Sequence, residues 1–375
     1  KAAQIARAHV KHIVLGGPHP TAVEHQVFNE CPEIDHGISG EGEETIGPYL
    51  DWLESSCDSP PPAGVIARGH PLTPRQPTAN IDDIPKPARH LLPQHSYRYL
   101  FATRPGFATM ITSRGCPFRC TFCDKSVSGS RWRARTPSSV VDEMEELVRN
   151  HGVGFINIYD DNFTLDRKRV RLICEEILHR ELEIEWKCEG RVDGVDPALL
   201  RLMRQAGCRT IAYGVESANR KTLELLRKDI TVEQTIRAFS DTRSAGLRSL
   251  AYIILGSPGE SSTDVRRTIR FVKEIDADYV QFSSLTALPG TPLYALGNHG
   301  KTSSVLGPVD SETQRETCTS LSEEELDGLM RDAWRQFWIR PKPMFRLARD
   351  AVRSGSVMEG WRLGLQMARW SLRTA

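Results

Sequence analysis

The sequence predicts an α/β protein built around a partial barrel of six parallel strands, a (β/α)6 arrangement. Apolar segments of strand length recur at six positions, namely 108–113, 154–159, 183–188, 210–215, 250–255 and 279–284. Segments with helical periodicity separate them, at 138–150, 166–180, 196–206, 219–226, 231–245 and 261–276. Strands that alternate with helices form parallel sheets with right-handed crossovers. Because a closed barrel of this type needs eight strands, we expect an open one.

The segments on either side of the barrel differ from it in composition. Residues 1–57 read as a separate α/β piece, in which HIVLGG (12–17) is a buried strand that ends in a glycine turn. A proline-rich linker at 58–104 follows, and the barrel core occupies 105–295. Residues 296–375 become helical after a polar stretch. We therefore predict four regions along the chain.

Composition restricts the classes of function. The 375 residues carry 49 Lys and Arg against 48 Asp and Glu, a net charge of +1, which disfavours nucleic acid as a partner. No apolar run is long enough to span a bilayer, and the first residues lack a signal-peptide pattern. The nine cysteines are odd in number and partly clustered, which favours metal binding in a reducing, cytoplasmic setting. Lys1 stands within a helical pattern, so we expect a chain truncated at its N-terminus.

Three cysteines follow the first predicted barrel strand, in SRGCPFRCTFCDK (113–125). A structural zinc site needs four ligands, commonly in paired C-x2-C units, and a disulfide would leave one cysteine over. Three thiolates on a four-iron cluster leave one iron open to a substrate or cosubstrate. Barrel active sites also lie beyond the C-terminal ends of strands. We therefore predict that Cys116, Cys120 and Cys123 bind a [4Fe–4S] cluster, with Phe122 shielding it from water.

The spacing of Cys116, Cys120, Phe122 and Cys123 resembles the C-x3-C-x-Φ-C motif of the radical S-adenosylmethionine (SAM) superfamily, whose partial barrel the six units also match. The resemblance implies that SAM chelates the open iron through its amino and carboxylate groups. Electron transfer from the cluster then cleaves SAM to methionine and a 5′-deoxyadenosyl radical, which abstracts hydrogen from the substrate. It also implies an electron donor such as flavodoxin or ferredoxin.

Polar residues at the ends of the next strands fit the SAM contacts that this resemblance implies. Asp160, Asp161 and Asn162 are candidates for the amino group, Arg191 for the carboxylate, Glu216 for the ribose hydroxyls, and Gly256 and Pro258 for the adenine. Such groups also cap helices or pair with one another, and that alternative stays open.

The N-terminal piece resembles the C-terminal half of a cobalamin-binding domain. The matching residues are the glycine pair Gly16 and Gly17 and the GEGE turn at 40–43. The candidate cobalamin contacts are Gly16, Gly17, Gly40, Glu41 and Gly42. The order of this piece, the linker and the cysteine motif resembles the cobalamin (B12)-dependent class of radical SAM enzymes. The first half of that domain, which carries a DxHxxG loop in the family, has no counterpart in the sequence.

The class implies cobalamin-dependent methyl transfer to an unactivated carbon of a small-molecule or lipid substrate. The same architecture serves oxidative cyclisation and other radical modifications without methyl transfer. A tRNA methylthiotransferase would carry a second cysteine triplet upstream, where only Cys31 and Cys57 occur, and a non-enzymatic zinc module is a further alternative. The tail tryptophans, Trp334, Trp338, Trp361 and Trp370, indicate helix packing or peripheral contact with a membrane.

Overall fold

A computed structural model describes residues 1–55, 59–92, 97, 99, 102, 104–296, 302–303, 315–316, 319–358, 360–362 and 364–365. The chain forms two compact units, and each is assembled from separate stretches of sequence. The first unit comprises 1–84, 114–134 and 287–298, and the second comprises 85–113, 135–286 and 299–375.

The first unit is built on a three-stranded sheet. Its elements are α1 (Ala2–Ala6), β1 (Val14–Gly16), α2 (Pro18–Val23), α3 (Val27–Glu30), β2 (His36–Ile38), α4 (Ile46–Glu54) and β3 (Val65–Ala67), with 3-10 turns at Glu24–Gln26 and Ile81–Asp83. β1 and β2 run parallel, and β3 is antiparallel to β2. Val27, Phe28, Ile34 and Ile66 form one small core, and Ile38, Tyr49, Trp52 and Val65 form another.

Strand β3 lies within the segment that the sequence predicts as linker. All three of its residues are buried, because successive side chains point to opposite faces of the sheet and both faces are covered. An apolar run of three residues within a proline-rich segment is too short to be predicted as a strand from its pattern.

The second unit contains the predicted barrel strands: β4 (Phe107–Met110), β5 (Phe155–Ile158), β6 (Glu185–Gly190), β7 (Cys208–Glu216), β8 (Arg248–Leu255) and β9 (Tyr279–Ser284). They form one sheet in the order of the sequence, and every neighbouring pair is parallel. This curled, open half-barrel confirms the predicted fold class.

Helices connect the strands: α5 (Pro137–His151), α6 (Arg167–His179), α7 (Pro197–Gln205), α8 (Arg220–Leu225), α9 (Val232–Ser244) and α10 (Ser262–Glu274). In each case the preceding side chain accepts a backbone N–H of the first turn; these N-caps are Thr136, Asp166, Asp196, Asn219, Thr231 and Ser261. Such caps satisfy amides that otherwise lack partners, which is why each of these six helices starts directly after a short polar residue.

The two faces of the barrel strands bury different side chains. Ile211, Tyr213 and Val215 of β7 face the helices and belong to the main hydrophobic core. Ala212 lies on the other face, where it packs with Leu250 and Tyr279. The inner face of β6 carries Lys187 and Glu189, so the lumen contains charged groups.

The C-terminal region is helical, as predicted, with α12 (Glu323–Trp338) and α13 (Pro341–Ser354); α11 (Pro292–Ala295) belongs to the first unit. Trp334 and Trp338 pack against the barrel core, which confirms the packing interpretation for these two. Trp361 is exposed, and Trp370 lies outside the described residues.

Short strands and a 3-10 turn occur at Ser113–Arg114, Arg133–Ala134, Thr302–Ser303, Arg315–Glu316 and Arg89–Leu91. No helix in the described part of the chain has the length and apolarity needed to cross a membrane.

Candidate active site

The cysteine loop, residues 115–132, belongs to the first unit. None of Cys116, Cys120 and Cys123 forms a disulfide; Cys120 is buried, and the other two are half-buried. The Cys123 amide donates to the Cys120 carbonyl over 3.3 Å, and the Cys116 amide donates to the Gly129 carbonyl over 3.4 Å. These bonds bend the loop back on itself and keep the motif in one compact turn.

Gly115 allows the chain to enter this loop. Its φ is +82°, a left-handed conformation that residues with a side chain rarely adopt. A Cβ at this position would lie 2.3 Å from the Arg131 carbonyl oxygen, far inside a normal contact. The start of the loop therefore requires glycine for its conformation and for the space beside it.

Two arginines next to the cysteine loop bind the GEGE turn of the same unit. Arg133 donates to both oxygens of Glu41 over 2.5 and 3.0 Å, and both side chains are buried. Arg114 donates to Glu43 over 2.5 Å and lies 3.4 Å from Glu41. The Arg114 guanidinium lowers the pKa of the Glu43 carboxyl. The GEGE turn thus holds both ends of the cysteine loop, a role for Glu41 that sequence reasoning missed.

The glycines proposed for cobalamin lie near this turn. Gly17 and Gly40 have positive φ values of +102° and +76°, and a Cβ on either would meet no atom within 4 Å. Gly16 ends β1, and the Gly40 amide donates to the Thr21 hydroxyl over 2.9 Å. A Cβ at Gly42 would touch only the Ile38 side chain, at 3.9 Å. Open space therefore borders both glycine turns.

The predicted SAM contacts belong to the second unit, beginning with the end of β5. Asp160 is buried, and its carboxylate accepts the Thr112 amide and the Thr112 and Ser113 hydroxyls, each over 2.6 Å. Burial raises the pKa of Asp160, although the three hydrogen bonds oppose that rise. Asp160 thus fixes the segment after β4 that leads towards the cysteines. Asp161 is exposed.

A polar chain links the segments that follow β5 and β6 to the loop between α8 and α9. The Thr164 hydroxyl donates to Asn162 over 3.2 Å and accepts the Arg191 amide over 3.3 Å. The Arg191 guanidinium binds both oxygens of Asp193, at 2.9 and 3.1 Å, and donates to the Asp229 carbonyl over 3.3 Å. The pairing that the sequence left open for Arg191 is therefore present in the structure.

Glu216, at the end of β7, pairs with Lys228, the residue that precedes Asp229 in the chain. The buried Lys228 ammonium donates to Glu216 over 2.6 Å, and the pair covers Gly214, where a Cβ would lie 2.4 Å from either group. Glu216 has a φ of +63°, a strained conformation of the kind that clusters at functional sites. Sequence reasoning missed Lys228, since nothing in the order of residues indicates which cation meets Glu216.

Glu260 organises the end of β8, and sequence reasoning missed it although it lies within the motif that supplied Gly256 and Pro258. One of its oxygens accepts the Gly256 and Ser257 amides over 3.1 and 2.9 Å. The other accepts the Ser217 and Thr222 hydroxyls over 3.2 and 3.1 Å. Burial raises the pKa of Glu260. This carboxyl holds the turn of Gly256, whose φ is +79°, against the residue that follows Glu216.

A second polar cluster lines the inside of the half-barrel. Lys187 is almost fully buried and donates to Glu189 over 2.5 Å and to Asn157 over 3.4 Å. The Tyr252 hydroxyl donates to the same Glu189 oxygen over 3.1 Å, and burial raises the pKa of Tyr252. The other Glu189 oxygen and the Asn157 amide nitrogen are buried without hydrogen-bond partners. Alternating charges in EWKCEG are the sequence signal that would have found this cluster.

The sequence pattern of the radical SAM superfamily matches residues 110–272. An uncharacterized methyltransferase of Pyrococcus horikoshii is 34% identical over 349 residues, covering 89% of this chain and 74% of that protein. The chain belongs to the radical SAM superfamily. It is therefore an enzyme, and the cofactors of its superfamily are SAM and a [4Fe–4S] cluster.

Other relatives of this radical SAM enzyme differ in activity. The anaerobic magnesium-protoporphyrin IX monomethyl ester cyclase of Rubrivivax gelatinosus is 31% identical over 75% of this chain and 52% of its own length. The methyltransferase TsrM of Kitasatospora setae, solved with cobalamin and a [4Fe–4S] cluster bound, is 19% identical and covers 96% of this chain and 81% of its own, with a TM-score of 0.69. The chain thus spans about three quarters of the Pyrococcus protein and about half of the Rubrivivax cyclase.

The residues of the cysteine loop fit a four-iron cluster. They offer three thiols, none in a disulfide, within one turn that requires glycine at its entrance. No three His, Cys, Asp or Glu side chains among the described residues lie close enough to hold one metal ion. The thiolates of a four-iron cluster bind different irons and therefore stand farther apart than the ligands of a single ion.

Proposed function

We propose that this chain carries the catalytic region of a cobalamin-dependent radical SAM methyltransferase that acts on an unactivated carbon of a small-molecule substrate. The observation that carries the proposal is the pairing of Glu41 with Arg133 and of Glu43 with Arg114. These contacts make the cobalamin-type sheet and the cysteine loop parts of one compact unit. A sheet that holds the cluster loop is suited to delivering a second cofactor beside it.

In this proposal Cys116, Cys120 and Cys123 hold the cluster through thiolates, with Phe122 beside them. When bound, the cluster supplies the electron that cleaves SAM into methionine and a hydrogen-abstracting radical. Gly115 and the two arginine–glutamate pairs keep the loop in shape before the cluster arrives, so little ordering remains to be done on binding.

The ends of β5 to β8 would hold SAM in this proposal. The candidates are Asp161 and Asn162 for its amino group, Arg191 for its carboxylate, Glu216 for its ribose, and Gly256 and Pro258 for its adenine. Lys228 fixes the orientation of Glu216 through its 2.6 Å hydrogen bond. Asp160 and Glu260 act on the backbone turns rather than on the ligand, because their oxygens already accept protein donors.

The polar cluster inside the half-barrel, formed by Lys187, Glu189, Asn157 and Tyr252, would contact the substrate. The second Glu189 oxygen and the Asn157 amide are buried polar groups without partners, and such groups are costly unless a ligand or water satisfies them. They offer one acceptor and one donor within the lumen. A polar small molecule that matches both would be held with its reacting carbon in a fixed position.

Cobalamin is proposed to bind along Gly16, Gly17, Gly40 and Gly42, where the open space beside the glycine turns accepts a bulky ligand. TsrM, a methyltransferase of similar fold, binds both cobalamin and a cluster. Glu41 is assigned instead to holding the cysteine loop. An electron donor such as flavodoxin or ferredoxin completes the system, and the clustered cysteines, which form no disulfide, support a reducing, cytoplasmic compartment.

Oxidative cyclisation is the second candidate, because the Rubrivivax cyclase is 31% identical over three quarters of the chain. The two activities differ in the fate of a labelled methyl group. Incubation with methyl-labelled SAM would leave the label in the product of a methyltransferase. A cyclase would form its product without that label.

Anaerobic purification with iron analysis, followed by incubation with SAM and dithionite, tests the proposal. We expect a brown protein that forms 5′-deoxyadenosine, and methylcobalamin that changes its absorption on binding. Zinc in place of iron, or an intact cluster without 5′-deoxyadenosine, would overturn the radical mechanism. An active cluster without any cobalamin binding would instead favour the cyclase or another radical reaction.

A Cys120→Ala variant should lose both the cluster and 5′-deoxyadenosine formation, while its circular dichroism spectrum stays that of the parent protein. Cys31→Ala removes a half-buried thiol of the same unit outside the loop and serves as the matched control. Equal iron content in the two variants would rule out the assignment of Cys120.

A further inference from the structure

A cavity of about 640 Å³ lies at the N-terminal edge of the half-barrel, the edge opposite the proposed SAM contacts. Glu185, Arg209 and Arg248 enter it from the first residues of β6, β7 and β8. Its cationic lining consists of six arginines: Arg104, Arg204, Arg209, Arg248, Arg349 and Arg353. We call it the arginine pocket. All of its lining residues belong to the second unit.

The arginine pocket has an excess of positive charge. Among the described residues, the carboxylates within ion-pair distance of its arginines are Glu183, Glu185 and Asp350. Six guanidinium groups less three carboxylates leave a charge of +3. Charges of one sign around a concave surface focus their potential inside it, which raises the local concentration of anions.

Two buried guanidinium nitrogens of the residues that line the pocket make no hydrogen bond. Arg209 binds Glu185 over 2.7 Å through Nε, but its Nη1 is buried without a hydrogen-bond partner. The buried Nε of Arg349 lies 3.5 Å from Asp350 Oδ1, within ion-pair distance, and makes no hydrogen bond. Buried donors of charged groups carry a large desolvation cost unless an acceptor satisfies them. An anion in the pocket would supply that acceptor.

We propose that the arginine pocket binds a small molecule carrying two or more phosphate groups. Guanidinium forks match phosphate oxygens in geometry and charge, and a polyphosphate complements a charge of +3 better than a single carboxylate does. The volume lies within the range of about 300–1,000 Å³ that is usual for small-molecule sites. The proposal does not depend on the proposed methyl transfer, because the pocket and the strand ends that carry the SAM candidates lie on opposite edges.

Such a ligand would also couple α13 to the barrel. Arg349 and Arg353 come from α13, whereas Arg209 and Arg248 come from β7 and β8. A polyphosphate that bridges them would add charge-assisted hydrogen bonds between these elements. We therefore expect the ligand to raise the thermal stability of the chain as well as to bind.

Calorimetric titration of the full chain with inorganic tripolyphosphate, in 150 mM salt, tests the site. We expect saturable binding of one molecule, weakened about tenfold by Arg204→Gln and about tenfold by Arg353→Gln, since each removes a charge-assisted contact. Arg201→Gln is the matched control, because Arg201 is exposed on the same helix as Arg204 and does not line the pocket. Circular dichroism checks that each variant is folded.

Absence of saturable binding by the parent protein would overturn the proposal, as would equal weakening by Arg201→Gln and Arg204→Gln. Binding of a hexaglutamate peptide without binding of tripolyphosphate would show that the pocket takes an acidic polypeptide instead. ATP in place of tripolyphosphate identifies the source of the phosphates: tighter binding of ATP supports a nucleotide, and equal binding supports the polyphosphate alone.

Discussion

Buried ion pairs fix the positions of several key residues in this protein. The pairing of Lys228 with Glu216 joins residues that are 12 positions apart, and that of Arg133 with Glu41 joins residues 92 positions apart. The sequence identified Glu216 and Glu41 but assigned them to ligands, because position after a strand or within a turn indicates where a side chain lies and not what it meets. Partner choice depends on tertiary packing, which periodicity does not encode.

Replacing Lys228 by methionine should leave the buried Glu216 carboxylate unpaired. Removal of one partner of a buried pair costs about 3–5 kcal/mol, so we expect a loss of that order in the free energy of unfolding in urea. Lys221→Met, an exposed position on α8, is the matched control and should change stability little. The double variant Lys228→Met/Glu216→Gln should recover much of the loss. A single variant as stable as the control would show that the pair is not buried in solution.

The secondary-structure elements of the barrel follow from the sequence almost completely. Each predicted barrel strand overlaps an observed one, and the helix α5, predicted at 138–150, spans Pro137–His151. Strand and helix periods are local properties of a chain, and caps such as Asp196 with Pro197 mark the ends. The elements that were missed are the short ones. β3 has only three residues, and its pairing with β2 depends on contacts more than 25 residues away.

The cysteine loop provides a test at the level of one element. Gly115→Ala should lower the iron bound after reconstitution by severalfold, because a Cβ there collides with the Arg131 carbonyl and forces the loop to move. Gly129→Ala is the matched control: Gly129 also has a positive φ, +73°, but its Cβ would meet nothing within 4 Å. Gly129→Ala therefore has the cost of a side chain at positive φ without a collision with neighbouring atoms. Equal iron content in the two variants would mean that the close approach at Gly115 does not shape the cluster site.

Buried carboxyls affect the stability of the whole molecule. Burial raises the pKa of Glu260 above its ordinary value of 4.5, so the folded state binds this proton more tightly than the unfolded state does. Its stabilising contribution is therefore fully present below pH 4.5 and is lost as the pH rises through the raised pKa of the folded state. The opposite sign holds for Glu43, whose pKa is lowered; its contribution is lost as the pH falls.

Urea unfolding of the parent protein and of Glu260→Gln at pH 7, 6 and 5 checks how the contribution of Glu260 to stability changes with pH. The stability of the parent protein relative to the variant should increase as the pH falls. Glu233→Gln is a control of opposite sign, because hydrogen bonds lower the pKa of Glu233 at the start of α9. A parent-to-variant difference at Glu260 that shrinks towards pH 5 would contradict a raised pKa.

The way the GEGE turn holds the cysteine loop limits how the protein can be dissected. A shortened chain that starts at residue 105, where the barrel pattern begins, would contain the three cysteines but neither Glu41 nor Glu43. Arg133, with only 4% of its side chain exposed in the intact chain, would then be left without the carboxylate that neutralises it. Expression of an isolated barrel should therefore yield protein that folds around its sheet and loses iron readily. We therefore expect the shortest stable chain that retains iron to include the N-terminal sheet, although that sheet contributes no thiolate.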